Sequence, residues 1–213
     1  AISQSLMLVG AISILFGAAC AMRQKDFKRM LAFSSISQTG YIILALGLAS
    51  PVAILGAIFH MFNHATFKTV LFLNGASLEK TLNTANMEKM GGLKQSMPWT
   101  AGSSIIALMS TAGLPPLPGF WSKLVIIIAL WQGGAKGYAV LAIGVSLATL
   151  IYFLILARKI FFGKITASAK DSQEMPLLML APIIILSVII LVSGLLFPYF
   201  YSYLIETGTR TIL

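Results

Sequence analysis

The sequence predicts an all-α membrane protein with six transmembrane segments, the fourth of them discontinuous. Three observations carry this. Of the 213 residues 58% are hydrophobic and only 10% charged, whereas soluble domains carry roughly a quarter charged residues to coat their core. The apolar residues fall into runs of about 20, the length a helix needs to cross a bilayer. The basic residues collect in the short stretches between those runs.

The segments are about 2–22, 28–49, 51–76, 98–132, 138–162 and 177–204. No basic stretch precedes the first, and Arg23, Lys25, Lys28 and Arg29 follow it. That polarity is the reverse of a secretory signal, so the run is expected to span the membrane, with further sequence ahead of Ala1. Assigning alternate loops to opposite sides places Arg23, Lys25, Lys28, Arg29, Lys80, Lys89, Lys94, Arg158, Lys159, Lys164 and Lys170 together. Only Lys136 and Arg210 fall opposite. The positive-inside rule then predicts loops 23–28, 77–97 and 163–176 in the cytoplasm and both chain ends outside. The net charge of +9 is thus topology, and no nucleic-acid partner is expected. The single cysteine, Cys20, excludes an internal disulfide framework or thiolate cluster. Trp99, Trp131, Tyr199, Tyr201 and Tyr203 stand at span ends, where an interfacial aromatic belt belongs.

Two basic residues, Lys68 and Lys123, lie inside spans, while Asp26, Glu79, Glu88, Asp171, Glu174 and Glu206 all fall in loops or at helix ends. An unpaired lysine at mid-membrane costs about 2.5–3.5 kcal/mol on insertion scales, which makes each a functional candidate. On the third span His60, His64 and Lys68 are spaced by four and share one helical face over about 12 Å. Asn63 adds a polar group at the same depth. Such a stripe suits a proton relay or ion path. The same spacing could hold a metal, but zinc-protease chemistry needs a glutamate after the first histidine, and Met61 stands there. No metal is expected.

The fourth segment would be about 52 Å long as one straight helix, well beyond the roughly 30 Å of hydrocarbon. At its centre Gly113, Leu114, Pro115, Pro116, Leu117, Pro118 and Gly119 forbid helical continuation, and half-helices at about 99–112 and 119–132 are predicted. Unwound backbone at that depth points to a transport site. Lys123 stands one turn beyond the break, where burial and the dipole of the second half-helix both act on its charge, as loading and releasing a proton requires. Ser34, Gln38 and Tyr41 share a face of the second span, and Ser146, Thr149 and Tyr152 lie near one another on the fifth. These polar groups glue helices together more often than they carry ions. Lys28 and Arg29 are expected to anchor the second span's end.

The runs KRMLAFSSISQTGY (Lys28–Tyr41), FHMFNHATFKTVLFL (Phe59–Leu73) and GLPPLPGFWSK (Gly113–Lys123) together resemble the antiporter-like subunits of respiratory complex I. Subunits of Mrp-type cation/proton antiporters and of energy-converting membrane-bound hydrogenases share that family. The loop Met87–Ala101 is most similar to the hydrogenase and formate-hydrogenlyase branch. The resemblance implies half of an inverted-repeat fold, the second five-helix repeat over 1–162, followed by a loop and trailing helix over 163–213. It also implies that His60, His64, Lys68 and Lys123 belong to a midplane line of ionisable groups, with Lys123 handling the proton on its way to the outer face. The first repeat, with its glutamate and lysine pair, is absent from these residues, so a companion chain or a longer polypeptide must supply it. The implied partners are the other membrane subunits of a redox or antiporter complex, the lipid bilayer, and protons with sodium as a second candidate cargo. No nicotinamide, flavin or iron-sulfur motif occurs, so no cofactor is expected and redox chemistry belongs to partners. Two rival readings remain. The buried lysines and histidines could dock neighbouring subunits. An intramembrane protease would need a paired nucleophile and base, and there is neither a Gly-x-Ser-x-Gly elbow nor a carboxylate in a span.

Overall fold

The computed structural model describes the backbone of residues 2–170 and 172–212, and side chains through Tyr201 except Ser168. The side chains of Asp171, Tyr203, Glu206 and Arg210, expected in loops or at the interface, lie outside the described residues. The described chain is helical, with no strand. Its main elements are α1 (Ile2–Met22), α2 (Phe27–Leu48), α3 (Pro51–Leu82), the short α4 (Leu93–Ser96), α5 (Pro98–Ala112), α6 (Pro118–Gln132), α7 (Lys136–Phe161) and α8 (Leu177–Ile212). Four of them, α1, α2, α7 and Leu177–Tyr201 of α8, are long and apolar enough to cross a membrane.

Local chemistry sets the boundaries. The Asp26 carboxylate accepts from the Arg29 amide at 2.8 Å and starts α2. Ser50 accepts from the Ala53 amide at 3.2 Å, with Pro51 in the first turn of α3. Asn83, at φ 51°, closes α3 in the left-handed region. The predicted end of the third span at residue 76 is therefore corrected: α3 runs to Leu82, and the loop predicted at 77–97 begins only at Asn83. Ser77, Glu79 and Lys80 have loop-like composition, yet Leu78 and Leu82 are buried beneath them. Glu79 also pairs with Lys28 on α2. Lys28 is thus more than the interfacial anchor its position suggests.

The outward sides of α1, α7 and α8 are apolar and exposed, as at Phe16, Val140 and Leu178, the composition a lipid-facing surface has. Within the bundle α3 packs against α2, α5, α6 and α8. The pair α1 and α2 meets through glycines. A Cβ on Gly10 would lie 2.7 Å from the Leu44 amide nitrogen, and one on Gly17 would meet the Ser37 backbone. Small residues that let two backbones touch are what hold helices together in lipid. Gly17→Ala is therefore expected to destabilise the fold by about 2 kcal/mol or more. Gly102→Ala, where a Cβ meets nothing within 4 Å, should gain up to about 1 kcal/mol. Thermal melts of the two variants in one detergent check the contrast.

Candidate functional site

The fourth segment is broken as its sequence requires. Gly113 ends α5 at φ 87°, its amide donating to the Met109 and Ser110 carbonyls. The Leu114 amide donates to Met109 O and the Leu117 amide to Leu114 O, both at 3.0 Å. These bonds pair the backbone groups of the break within the chain. The second half-helix begins one residue earlier than predicted, Pro118 already standing in the first turn of α6. Gly119 packs so closely that a Cβ there would fall on the Ser110 carbonyl oxygen. Asn63 on α3 donates to the Pro118 carbonyl at 3.1 Å. From the other side Gly194 of α8 presses on the break, where a Cβ would lie 2.6 Å from Pro116 O. Phe197, one turn on, stacks on Phe59 at 4.1 Å. Trp121 Nε1 donates to Pro116 O at 3.2 Å.

Lys123 on α6 is 2% exposed. Its Nζ reaches back across the break to donate to Thr111 O at 2.8 Å and Ala112 O at 3.5 Å. These are the last carbonyls of α5, so the lysine caps that helix at its negative end. Sequence position alone pointed to the positive end of α6; the geometry sets the lysine between the two. Its Nζ also sits 5.2 Å over the Tyr41 ring, close enough for a cation–π attraction. Tyr41 is itself fixed by donating to Ala142 O at 2.8 Å.

The predicted polar stripe on α3 splits into two environments. His60 is fully buried; its Nδ1 lies 2.8 Å from Ser122 Oγ, beside Lys123, and its ring is 5.9 Å from Tyr41. His60, Tyr41, Ser122 and Lys123 therefore form one cluster. Lys68, buried two turns further along α3, turns to α2 and donates to Leu31 O at 3.0 Å and to Ser34 Oγ. His64, half-buried, stands between the two and meets Phe67 edge-on at 5.7 Å. The Nε2 atoms of both histidines have no hydrogen-bond partner among the described residues. Gln38 is fully buried with neither end of its amide bonded. Neither Lys68 nor Lys123 has a carboxylate at ion-pair distance among the described residues, where Lys25–Glu88 and Lys28–Glu79 are the pairs formed. No cluster of three or more metal-ligating side chains occurs among the described residues.

Sequence reasoning missed Ser122, which partners His60, although it directly precedes Lys123. It also missed Asn74, fully buried on α3 with its amide nitrogen 2.9 Å from Ser103 Oγ and 2.8 Å from Ser104 Oγ. An asparagine inside an apolar run was the available signal.

A broken helix braced between α3 and α8, with one buried lysine in its second half and another on α3, defines an integral membrane protein built of packed helices. The chain belongs to the NADH:quinone oxidoreductase/Mrp antiporter transmembrane family, whose pattern it matches over residues 1–151. It is 37% identical to a Na(+)/H(+) antiporter subunit of Alkalihalophilus pseudofirmus, over 96% of this chain and 29% of that protein. With hydrogenase-4 component B of Escherichia coli it shares 33% identity over 89% of this chain and 32% of the relative. Among solved structures, the Mrp complex of a Dietzia species superposes with a TM-score of 0.84 at 26% identity, covering 91% of this chain and 44% of that one. The chain thus spans about a third of the length of the two curated relatives.

Proposed function

We propose that this chain forms the second repeat and trailing helix of an ion-translocating membrane subunit, moving protons within a respiratory, hydrogenase-type or antiporter complex. In this reading six segments cross the membrane, counting α5 with α6 as one. Residues 1–162 make the repeat, 163–213 the loop and trailing helix, and the basic loops face the cytoplasm. What carries it is the pair of buried lysines, Lys68 held by the Leu31 carbonyl and the Ser34 hydroxyl and Lys123 by the Thr111 and Ala112 carbonyls next to unwound backbone, with His60 and His64 between them. Relatives named as Na(+)/H(+) antiporter and hydrogenase proteins support the same class.

The chemistry follows from the cradles. An ammonium donates three hydrogen bonds, whereas a neutral amine still donates two and gains an acceptor. Carbonyls and hydroxyls tolerate either form, so a proton can leave Lys68 or Lys123 without stranding a buried anion. The histidines carry unpartnered ring nitrogens between them, where a water chain could pass the proton. Sodium exchange stays with the same path, since carbonyl and hydroxyl oxygens suit a hard cation.

The docking alternative requires lysines that await a neighbour's carboxylate, and both are instead engaged within this chain. Lys68→Ala in the complete protein, assembled in its complex and reconstituted in liposomes, separates the two. The expected result is proton translocation lowered by about 100-fold with unchanged complex yield. Normal translocation per assembled complex with reduced yield would favour docking.

A further inference from the structure

Away from the broken helix, a cavity of about 330 Å³ opens between the last turns of α3 and the first turns of α8. Its wall is mostly apolar, with Leu73, Met179, Pro182 and Ile183 among the lining residues. Leu73, Leu178 and Met179 are exposed on the outward side, so the cavity is reached sideways from the surface that suits hydrocarbon. Two polar side chains stand in the same wall, Ser77 and Lys80. Ser77 is 7% exposed, and its Oγ has no hydrogen-bond partner among the described residues. Lys80 is exposed and has no carboxylate at ion-pair distance among those residues. The two carboxylates nearest in sequence are committed elsewhere, Glu79 to Lys28 and Glu174 to the Trp99 and Thr100 amides of α5. The first turn of α8 holds no acidic side chain, so the positive end of that helix reaches the cavity uncompensated.

We propose that this cavity seats one anionic phospholipid, its phosphate at Ser77, Lys80 and the start of α8 and an acyl chain between Leu73 and Ile183. The wall sorts the ligand classes. A free phosphate would use the polar groups and leave the apolar wall uncovered. A neutral apolar molecule would fill the wall and leave a buried hydroxyl and an ammonium unanswered. A phospholipid with a negative headgroup meets both, as basic pockets between helices at a membrane surface do. Its phosphate accepts from the Ser77 hydroxyl and the Lys80 ammonium in charge-assisted hydrogen bonds. The stem of Lys80 lies along apolar surface while its head stays at headgroup level. The acyl chain restores the packing contacts that an empty space between α3 and α8 forfeits. Bound there, the lipid ties the start of α8 to α3. The site includes neither of the buried lysines nor the histidines and does not rest on the proton path.

The test uses the complete protein in its complex, reconstituted in phosphatidylcholine liposomes that carry a trace of photoactivatable lipid. The probes are phosphatidylglycerol and phosphatidylcholine bearing the same diazirine-labelled acyl chain, and the adducts are mapped by peptide mass spectrometry. Expected is labelling of residues 73–80 and 175–183 by the phosphatidylglycerol probe at least about fivefold above the phosphatidylcholine probe, the preference one basic residue supplies at a membrane surface. Lys80→Glu, on an exposed side chain, is expected to remove that preference. Ala76→Trp, which fills the cavity from its own wall without a change of charge, is expected to lower labelling by both probes. Lys164→Glu, the same charge change outside the cavity wall, should leave the preference intact. Equal labelling by the two probes, or a preference that survives Lys80→Glu, overturns the proposal. So does background labelling of the unaltered protein, the result if a neighbouring helix fills the cavity. Loss of the preference when inorganic phosphate replaces chloride at equal ionic strength overturns it too, since the polar groups would then be taking a free anion. Should Ala76→Trp fail to assemble, the Lys80→Glu comparison decides.

Discussion

Lys123→Ala is expected to abolish proton translocation, by at least about 100-fold, in a complex that still assembles. The lysine donates to the two terminal carbonyls of α5 across the break, and its removal leaves them to water, which an interrupted backbone can admit. Assembly should survive, because the break's own bonds among Met109, Ser110, Gly113, Leu114 and Leu117 do not use the lysine. Lys123→Arg sharpens the experiment. Arginine keeps the positive charge and the donors that cap α5, but a guanidinium does not release its proton in a protein. If the site only needs a cation to hold the helices, Lys123→Arg restores function. If it needs a proton to come and go, Lys123→Arg fails as Lys123→Ala does, and the second outcome is expected. Quenching of a pH-sensitive dye in liposomes, normalised to complex content, reads both variants.

Among the described glycines, Gly119→Ala is expected to be the most damaging change. The added carbon would coincide with the Ser110 carbonyl oxygen, and both partners are backbone, so no side-chain rotation relieves the contact. The two half-helices must separate, at about 3 kcal/mol or more. Separation also pulls Thr111 and Ala112 away from Lys123. Melting temperature and translocation should therefore fall together. Gly144→Ala, with open space around the new methyl, leaves both unchanged. Equal behaviour of the two variants would show that the close packing of the break does not matter.

The break itself was legible because three prolines and two glycines in seven residues admit no other backbone. The two lysines were legible because charge in an apolar run has few structural excuses. Their surroundings were not. That Lys68 turns to Ser34 while His60 turns to Ser122 depends on which way each side chain leaves α3, and a spacing of four fixes only the common face. The packing of Lys123 against α5 was hidden for a related reason: the lysine and its acceptors are separated by the one stretch whose path helical periodicity cannot trace. The extra turns of α3 were hidden because Ser77, Glu79 and Lys80 look like loop residues until Glu79 is seen to meet Lys28. Asn74 is the same kind of signal as Asn63, a carboxamide in an apolar run, and only its neighbours on α5 reveal its weight.

The contact of α8 with the break has a mechanical consequence. Gly194 rests directly on Pro116 and Pro118, and Phe197 is wedged against Phe59 and Trp121, so no compressible side chain lies between this helix and the interrupted backbone. A push of even an ångström on α8 from a neighbouring protein would reach the hinge almost undamped. Any displacement of α8 would therefore act first on the interrupted backbone that separates α5 from α6, before it reached any other part of the bundle.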